Sequence, residues 1–134
     1  ENLDRLVDAI RAFGPRTAIG MLLPAPPAAT QDAFGANYGC GQTRWQYRRN
    51  QHRLVRAMTD RYGGREADGI AVLPSSVVVD PVNGFPSQTV KANARTEVEV
   101  LRLSNGVHPN ASGYRQIGDA LYAWLKSRGG RGGL

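Results

Sequence analysis

Thr17-Ala18-Ile19-Gly20-Met21-Leu22-Leu23, stopped by Pro24, is the stretch whose reading decides the fold. Its apolar residues run at successive positions rather than alternate ones. A strand with one wet face alternates, whereas a strand covered on both faces does not, and a parallel sheet covers both. Residues 24–43, rich in Pro, Ala, Gly, Asn and Gln, then read as a loop at the strand's C-terminal end. In open α/β sheets that edge binds ligands. Ile70-Ala71-Val72-Leu73 reads as a second buried strand, and Val77-Val78-Val79, before Asp80-Pro81, as a further short extended piece.

Helical periodicity surrounds these strands. Leu3, Leu6, Val7 and Ile10 form one apolar face, and Gly14-Pro15 ends that helix. Tyr47, Gln51, Leu54, Val55, Met58 and Tyr62 mark a second helix, stopped by Gly63-Gly64, with arginines on its opposite face. Residues 83–86 read as a turn. Residues 96–103 alternate, with Val98 and Val100 on one side and Glu97 and Glu99 on the other, as in an edge strand or extended arm. The last helix runs from about Asn110 to Lys126, with Tyr114, Ile117, Leu121, Trp124 and Leu125 expected on its buried face. Residues 129–134 form a Gly/Arg tail expected to be flexible.

Alternating helices and strands predict an α/β fold with a parallel sheet. Two parallel strands leave unpaired edges and uncovered apolar surface. A partner is therefore expected: an N-terminal half of the same domain, or another chain. With Glu1 in place of an initiator Met, the gene product is expected to start earlier, and no signal peptide is visible.

The 134 residues fit one domain, and a hydrophobic content of 41% supports a core without any run of the roughly 18 apolar residues that cross a bilayer. No membrane partner is expected. Much of the net charge of +6 comes from Arg44, Arg48, Arg49, Arg53, Arg56 and Arg61, and from Lys126, Arg128 and Arg131 near the end. A basic surface favours phosphate or anionic glycan partners; the plain alternative is a solvated helix face. No zinc finger, RNP sequence or basic zipper is present, so nucleic acid is not expected as the main partner, and a phosphate or nucleic-acid contact through the arginines of residues 44–61 stays as a third alternative. Cys40 is the only cysteine, which rules out an internal disulfide. With His52 and His108 far apart in sequence, no metal-ligand spacing arises, and no metal is expected.

The chemistry centres on Asn105-Gly106-Val107-His108-Pro109. Pro109 biases His108 toward extended backbone, and Asn110 suits an N-cap for the helix that follows. A histidine fixed on a loop just before a helix can be aimed at a nucleophile's proton. Asn105, three positions earlier, is close enough to orient the ring. The plain alternative is a histidine that caps a loop. Ser75 and Ser76 follow a strand; Cys40 lies in the first long loop and is read as a packed or idle thiol. His52 is read as a surface residue of the arginine-rich helix. Tyr38, Trp45 and Tyr47, in or near the ligand-edge loop, can form a sugar platform or pack in the core.

The run Asn105-Gly-Val-His108-Pro109-Asn110-Ala-Ser-Gly113-Tyr114 resembles the histidine block of the SGNH (GDSL) hydrolases. That block reads Asp-x-x-His-Pro followed by a small-residue turn with Gly-Tyr or a similar pair. Residues 1–13, Gly14-Pro15 and the strand at 17–23 look like the helix-then-strand unit that precedes it. The resemblance reaches to about Arg128 and is most specific over residues 105–125. It implies a flavodoxin-like three-layer α/β/α domain of which residues 1–128 are the C-terminal part. The implied activity is hydrolysis of carboxylic esters, acetyl or acyl groups on carbohydrate or lipid, by a serine nucleophile with His108 as base. No cofactor is implied.

This sequence departs from the family in two places. No Gly-Asp-Ser block occurs, so the nucleophile is expected before residue 1 and these residues alone are expected to be inactive. Ser75 and Ser76 lie at the wrong place in the family order. Asn105 also stands where the family has Asp. An amide oxygen accepts a hydrogen bond but carries no charge, and the analogous change in serine proteases costs about 10⁴ in rate; Asp80 is a distant substitute. Asn105 thus points to an alternative, a non-catalytic SGNH-like glycan-binding or structural module. Such domains occur in bacteriophage tail and fibre proteins, so a secreted or virion-associated setting is compatible with either reading.

Overall fold

The structure is a computed structural model that describes residues 2–35 and 41–129. Cys40, Tyr38 and the tail after Gly129 lie outside the described residues. The chain forms a mixed α/β fold. Helix α1 (Asn2–Phe13) leads to strand β1 (Ile19–Leu22), a short helix α2 (Asp32–Gly35) and the long helix α3 (Arg44–Tyr62). Then come a 3-10 turn (Glu66–Asp68), strand β2 (Ile70–Leu73), a one-turn helix α4 (Ser75–Val78), strands β3 (Ser87–Lys91) and β4 (Glu99–Leu103), and helix α5 (Ala111–Gly129).

β1 and β2 pair in parallel, Ile19 opposite Ile70 and Leu22 opposite Leu73. A helix packs on each face of this pair, but β1 alternates where burial on both faces was expected: Ile19 and Met21 are buried, Gly20 and Leu22 exposed. Ile19, Met21, Ile70 and Val72 pack with Leu3, Val7 and Ile10 of α1 and with Val55, Met58 and Tyr62 of α3. Full burial of one such side chain contributes about 1.5–3 kcal/mol. On the other face Gly20 lies beneath Trp124 of α5: a Cβ there would sit 2.9 Å from the indole carbons and 3.2 Å from Leu73. Glycine is thus what lets α5 approach the sheet.

Polar ties hold the N-terminal edge. The Arg11 guanidinium donates to the carbonyls of Pro15 (2.9 Å) and Thr17 (2.6 Å), and to that of Asp68. The Asp4 carboxylate accepts from the Tyr62 hydroxyl at 2.9 Å and from Arg61 at 3.0 Å, joining α1 to the end of α3. These bonds, Tyr62 first and then Arg61, lower the Asp4 carboxyl from its ordinary 3.8 to about 2.

α3 begins three residues before Tyr47, the first position of its apolar pattern. Thr43 and Gln46 form a capping box: the Thr43 hydroxyl accepts from the Gln46 N–H at 3.2 Å, and the Gln46 side chain accepts from the Thr43 N–H at 2.7 Å. Of the expected extended piece at Val77-Val78-Val79, Val77 and Val78 are instead the end of α4, and Val79 follows in extended conformation. Pro74 presets a helix-compatible φ of −81°, and the chain must turn at the end of β2. That turn delivers Val79 into a second core with Ala28, Ala33, Phe34 and Phe85, and leaves Val77 exposed. Ser75 is buried and donates its hydroxyl to the Leu23 carbonyl, tying the ends of the two strands together.

The arm at 96–103 contains strand β4 from Glu99, paired antiparallel with β3, which the sequence did not predict; Val90 faces Val100. Three expected core positions are corrected. Leu6 of α1 is 56% exposed, and Tyr114 and Leu125 of α5 remain about half exposed. A two-stranded sheet is too narrow to cover more than a strip of each helix.

Candidate functional site

Three loops meet at the C-terminal edge of the parallel pair. The loop after β1 is pinned to the loop before α5 by the Ala28 N–H donating to the Gly106 carbonyl at 3.0 Å. It is pinned to the loop after α4 by the Ala29 N–H donating to the Pro81 carbonyl at 2.7 Å. Gly106 is required: a Cβ there would lie 2.6–2.7 Å from the ring of Phe34.

Asn110 straps the third contact. Its backbone N–H donates to the Gly84 carbonyl at 2.9 Å, and its side-chain amide donates to the Asn83 and Phe85 carbonyls at 2.9 and 3.0 Å. Three successive carbonyls are therefore held by one residue. Its side-chain oxygen accepts from the Gly113 N–H at 3.0 Å, which is the N-cap bond expected at this position. Gly113 lets the helix come this close. A Cβ there would fall on the Gly84 carbonyl oxygen, well inside contact distance, and 2.7 Å from Cβ of Pro109. The cap was readable from the sequence; the strap on residues 83–85 was not, because it joins segments about 25 residues apart.

His108 sits exposed on this platform, between half-buried Val107 and buried Pro109. Asn105 fixes the backbone that carries it. Its side-chain oxygen accepts from the N–H groups of Val107 at 3.0 Å and His108 at 2.9 Å. This is an Asx turn, a local alternative to regular structure for a short amide side chain. Asp80 shapes the neighbouring loop in the same way, accepting from the N–H groups of Val82 (2.8 Å) and Asn83 (3.0 Å) and from the Asn83 side chain (2.8 Å). Those bonds, the Asn83 side chain foremost, hold its carboxyl below the usual range. Bonded at both oxygens, Asp80 is a loop-former first.

A groove of about 290 Å³ opens beside this platform, lined by Asp32, Asn83, Phe85, Leu101, Arg102 and Asn110 among others. The β3–β4 arm forms one wall, and Arg102 reaches Asp32 across it at 3.7 Å. His108 is not among the lining residues. The other residues singled out by sequence are dispersed. Ser75 is buried behind the strand ends; Tyr47 packs against Phe34 with ring centres 5.7 Å apart. Trp45 and His52 lie on the outer face of α3, where both are exposed.

Comparison of the chain with family models, with curated proteins and with solved structures gives no match.

Proposed function

We propose that this chain is the histidine-bearing, C-terminal part of an SGNH-type ester hydrolase domain, with His108 as the general base. The observation that carries the reading is the platform: a histidine exposed at the C-terminal edge of a parallel pair, on a loop fixed by Asn105, Pro109, Asn110 and Gly113. Asn105, Gly106, Pro109, Asn110 and Gly113 of the resembling motif each have a structural task that serves the placement of that histidine. In this reading β1 and β2 are the last two strands of a wider flavodoxin-like sheet, and helices on both of their faces agree with it. A serine from outside these residues attacks the ester carbonyl. His108 takes the serine's proton and returns it to the leaving alcohol. The substrate is a carboxylic ester, acetyl or acyl, on carbohydrate or lipid, and the groove beside Asn110 is available to its non-reacting part.

The Asx turn at Asn105 favours a second reading. An oxygen that accepts from two backbone N–H groups is neutral and holds the loop, so it supplies no charge to an imidazolium. A glycan-binding or structural SGNH-like module, including one in a bacteriophage tail or fibre, needs no such charge. The test is hydrolysis of p-nitrophenyl acetate by the product of the whole gene. Turnover lost on His108→Ala supports the hydrolase; turnover by these 134 residues alone that survives His108→Ala refutes it. Glycan binding without turnover in the whole product selects the module.

A further inference from the structure

The outer face of α3 carries a feature that the candidate site does not use. Trp45, Arg48, Arg49, His52, Arg53 and Arg56 follow at i, i+3, i+4, i+7, i+8 and i+11, which is one stripe of a helix. Together they line a shallow depression of about 550 Å³. Four guanidiniums therefore share one surface. Among the described residues only Arg56 has a carboxylate partner there, Asp60 at 3.5 Å, and both side chains are highly exposed. Asp60 is also the sole acidic residue of α3. A helix face that is merely solvated usually interleaves both signs, and like charges at i, i+4, such as Arg49 and Arg53, cost helix stability. The stripe is therefore built to receive negative charge from elsewhere.

The ligand's chemistry follows from the order of groups along the stripe. Trp45, 67% exposed, offers a flat apolar face at one end, with the guanidiniums of Arg44 and Arg48 at 5.2 and 5.8 Å from its ring centre. Only guanidiniums and one imidazole follow it. A single-stranded nucleic acid stacks successive bases on successive aromatics, and this stripe has one. A polymer with one carboxylate per unit and an apolar ring face fits better, because the guanidinium fork matches a carboxylate in two hydrogen bonds.

The Trp45 end also adjoins the His108 loop. The Arg44 side chain donates to the Ala28 carbonyl at 2.7 Å, and Ala28 donates to the carbonyl of Gly106, two residues before His108. We propose that this face of α3 binds an acidic polysaccharide, stacked on Trp45 and held along the helix by Arg48, Arg49, Arg53 and Arg56. The choice of a glycan rests in part on the ester-hydrolase or glycan-module reading of the neighbouring loop; the binding itself needs no turnover.

The experiment is calorimetric titration of the 134-residue chain with oligogalacturonate long enough to span the stripe, roughly 17 Å at 1.5 Å rise per residue. A neutral maltooligosaccharide and an oligothymidylate of matched length are the other two arms. Oligogalacturonate is expected to bind, and to weaken about tenfold or more between roughly 0.05 and 0.5 M salt as screening shortens. Arg49→Gln/Arg53→Gln is expected to weaken it about tenfold, and Trp45→Ala about fivefold. Arg95→Gln, on the β3–β4 arm, is expected to change nothing. The proposal is overturned if oligogalacturonate does not bind, if the double variant binds it equally well, or if oligothymidylate binds more tightly. Binding without esterase activity in the whole gene product leaves it standing and removes only the catalytic reading.

Discussion

Two glycine-to-alanine substitutions on one helix should move stability in opposite directions. Gly113 and Gly118 both lie in α5. In a helix, alanine is favoured over glycine by about 0.8–1 kcal/mol. At Gly118 a Cβ meets nothing within 4 Å, so Gly118→Ala should gain up to about 1 kcal/mol. At Gly113 the same Cβ falls on the Gly84 carbonyl oxygen and crowds Pro109 at 2.7 Å. Backbone oxygen cannot move aside as a flexible side chain does, so the strap of Asn110 on residues 83–85 must open. Overpacking of this kind costs about 1–3 kcal/mol, and the loss of one or two of the strap's hydrogen bonds adds about 1 kcal/mol each. After subtracting the helical gain of about 1 kcal/mol, Gly113→Ala should lose about 1–4 kcal/mol. The two variants should therefore differ by about 2–5 kcal/mol, or on the order of 10 °C in Tm for a domain of this size. Urea unfolding followed by far-UV circular dichroism measures this directly. Equal stability of the two variants would refute the close approach of α5 to the loop at Gly84, and with it the platform that aims His108.

Asn110→Ala removes the cap and two strap bonds together. It should cost about 2–3 kcal/mol in the same urea assay, clearly more than an ordinary cap. The pH dependence of stability should carry the signature of Asp4. Its folded carboxyl is depressed to about 2 by the Tyr62 hydroxyl and Arg61, so its stabilisation is complete above about pH 4 and is lost as pH falls through about 2. Tyr62→Phe should move the Asp4 titration, read by carbon-detected NMR, up toward 3.8; an unmoved midpoint would show that the Tyr62 hydroxyl is not what depresses it. In the whole gene product, Asn105→Asp should raise p-nitrophenyl acetate turnover if charge behind His108 is what limits it. Unchanged turnover would show that Asn105 acts only through the backbone.

The framework of the fold was legible because its signals are local. Unbroken apolar runs at residues 17–23 and 70–73 predicted strands, and β1 and β2 are strands; β2 is largely buried, whereas β1 alternates, with Gly20 and Leu22 exposed. The capping box Thr43-x-x-Gln46 was also in the sequence and would have placed the start of α3 correctly. β3 was not legible. Ser-Gln-Thr-Val-Lys has one apolar residue, and what makes it a strand is β4 lying beside it. Val77-Val78-Val79 misled at Val77 and Val78, because β-branched residues favour extended backbone while the chain turns through α4 there; Val79 is extended as expected and buried beside Phe34 and Phe85. At the candidate site, His108, Asn105 and the Asn110 cap were readable from spacing. The tasks of Gly106 and Gly113 were not, since each answers to a neighbour distant in sequence. The arginine face of α3 was legible as the side opposite its apolar pattern; that Trp45 lies on the same stripe as four of those arginines became clear from the helix register.

The parallel pair has a consequence for how this chain behaves in a test tube. Ile19 and Leu23 donate their N–H groups to Gly69 and Leu73. By the alternation of a parallel ladder, Gly20 and Leu22 aim theirs at the opposite edge of β1. Leu22, 42% exposed, and Leu6 and Phe13 of α1 add apolar surface to the molecule. An open strand edge is a template for another strand. Handled alone at high concentration, these residues should self-associate through β1, and dilution, rather than denaturant, is the first variable to control. A peptide or companion segment able to occupy that edge should act as a solubiliser before it acts as anything else.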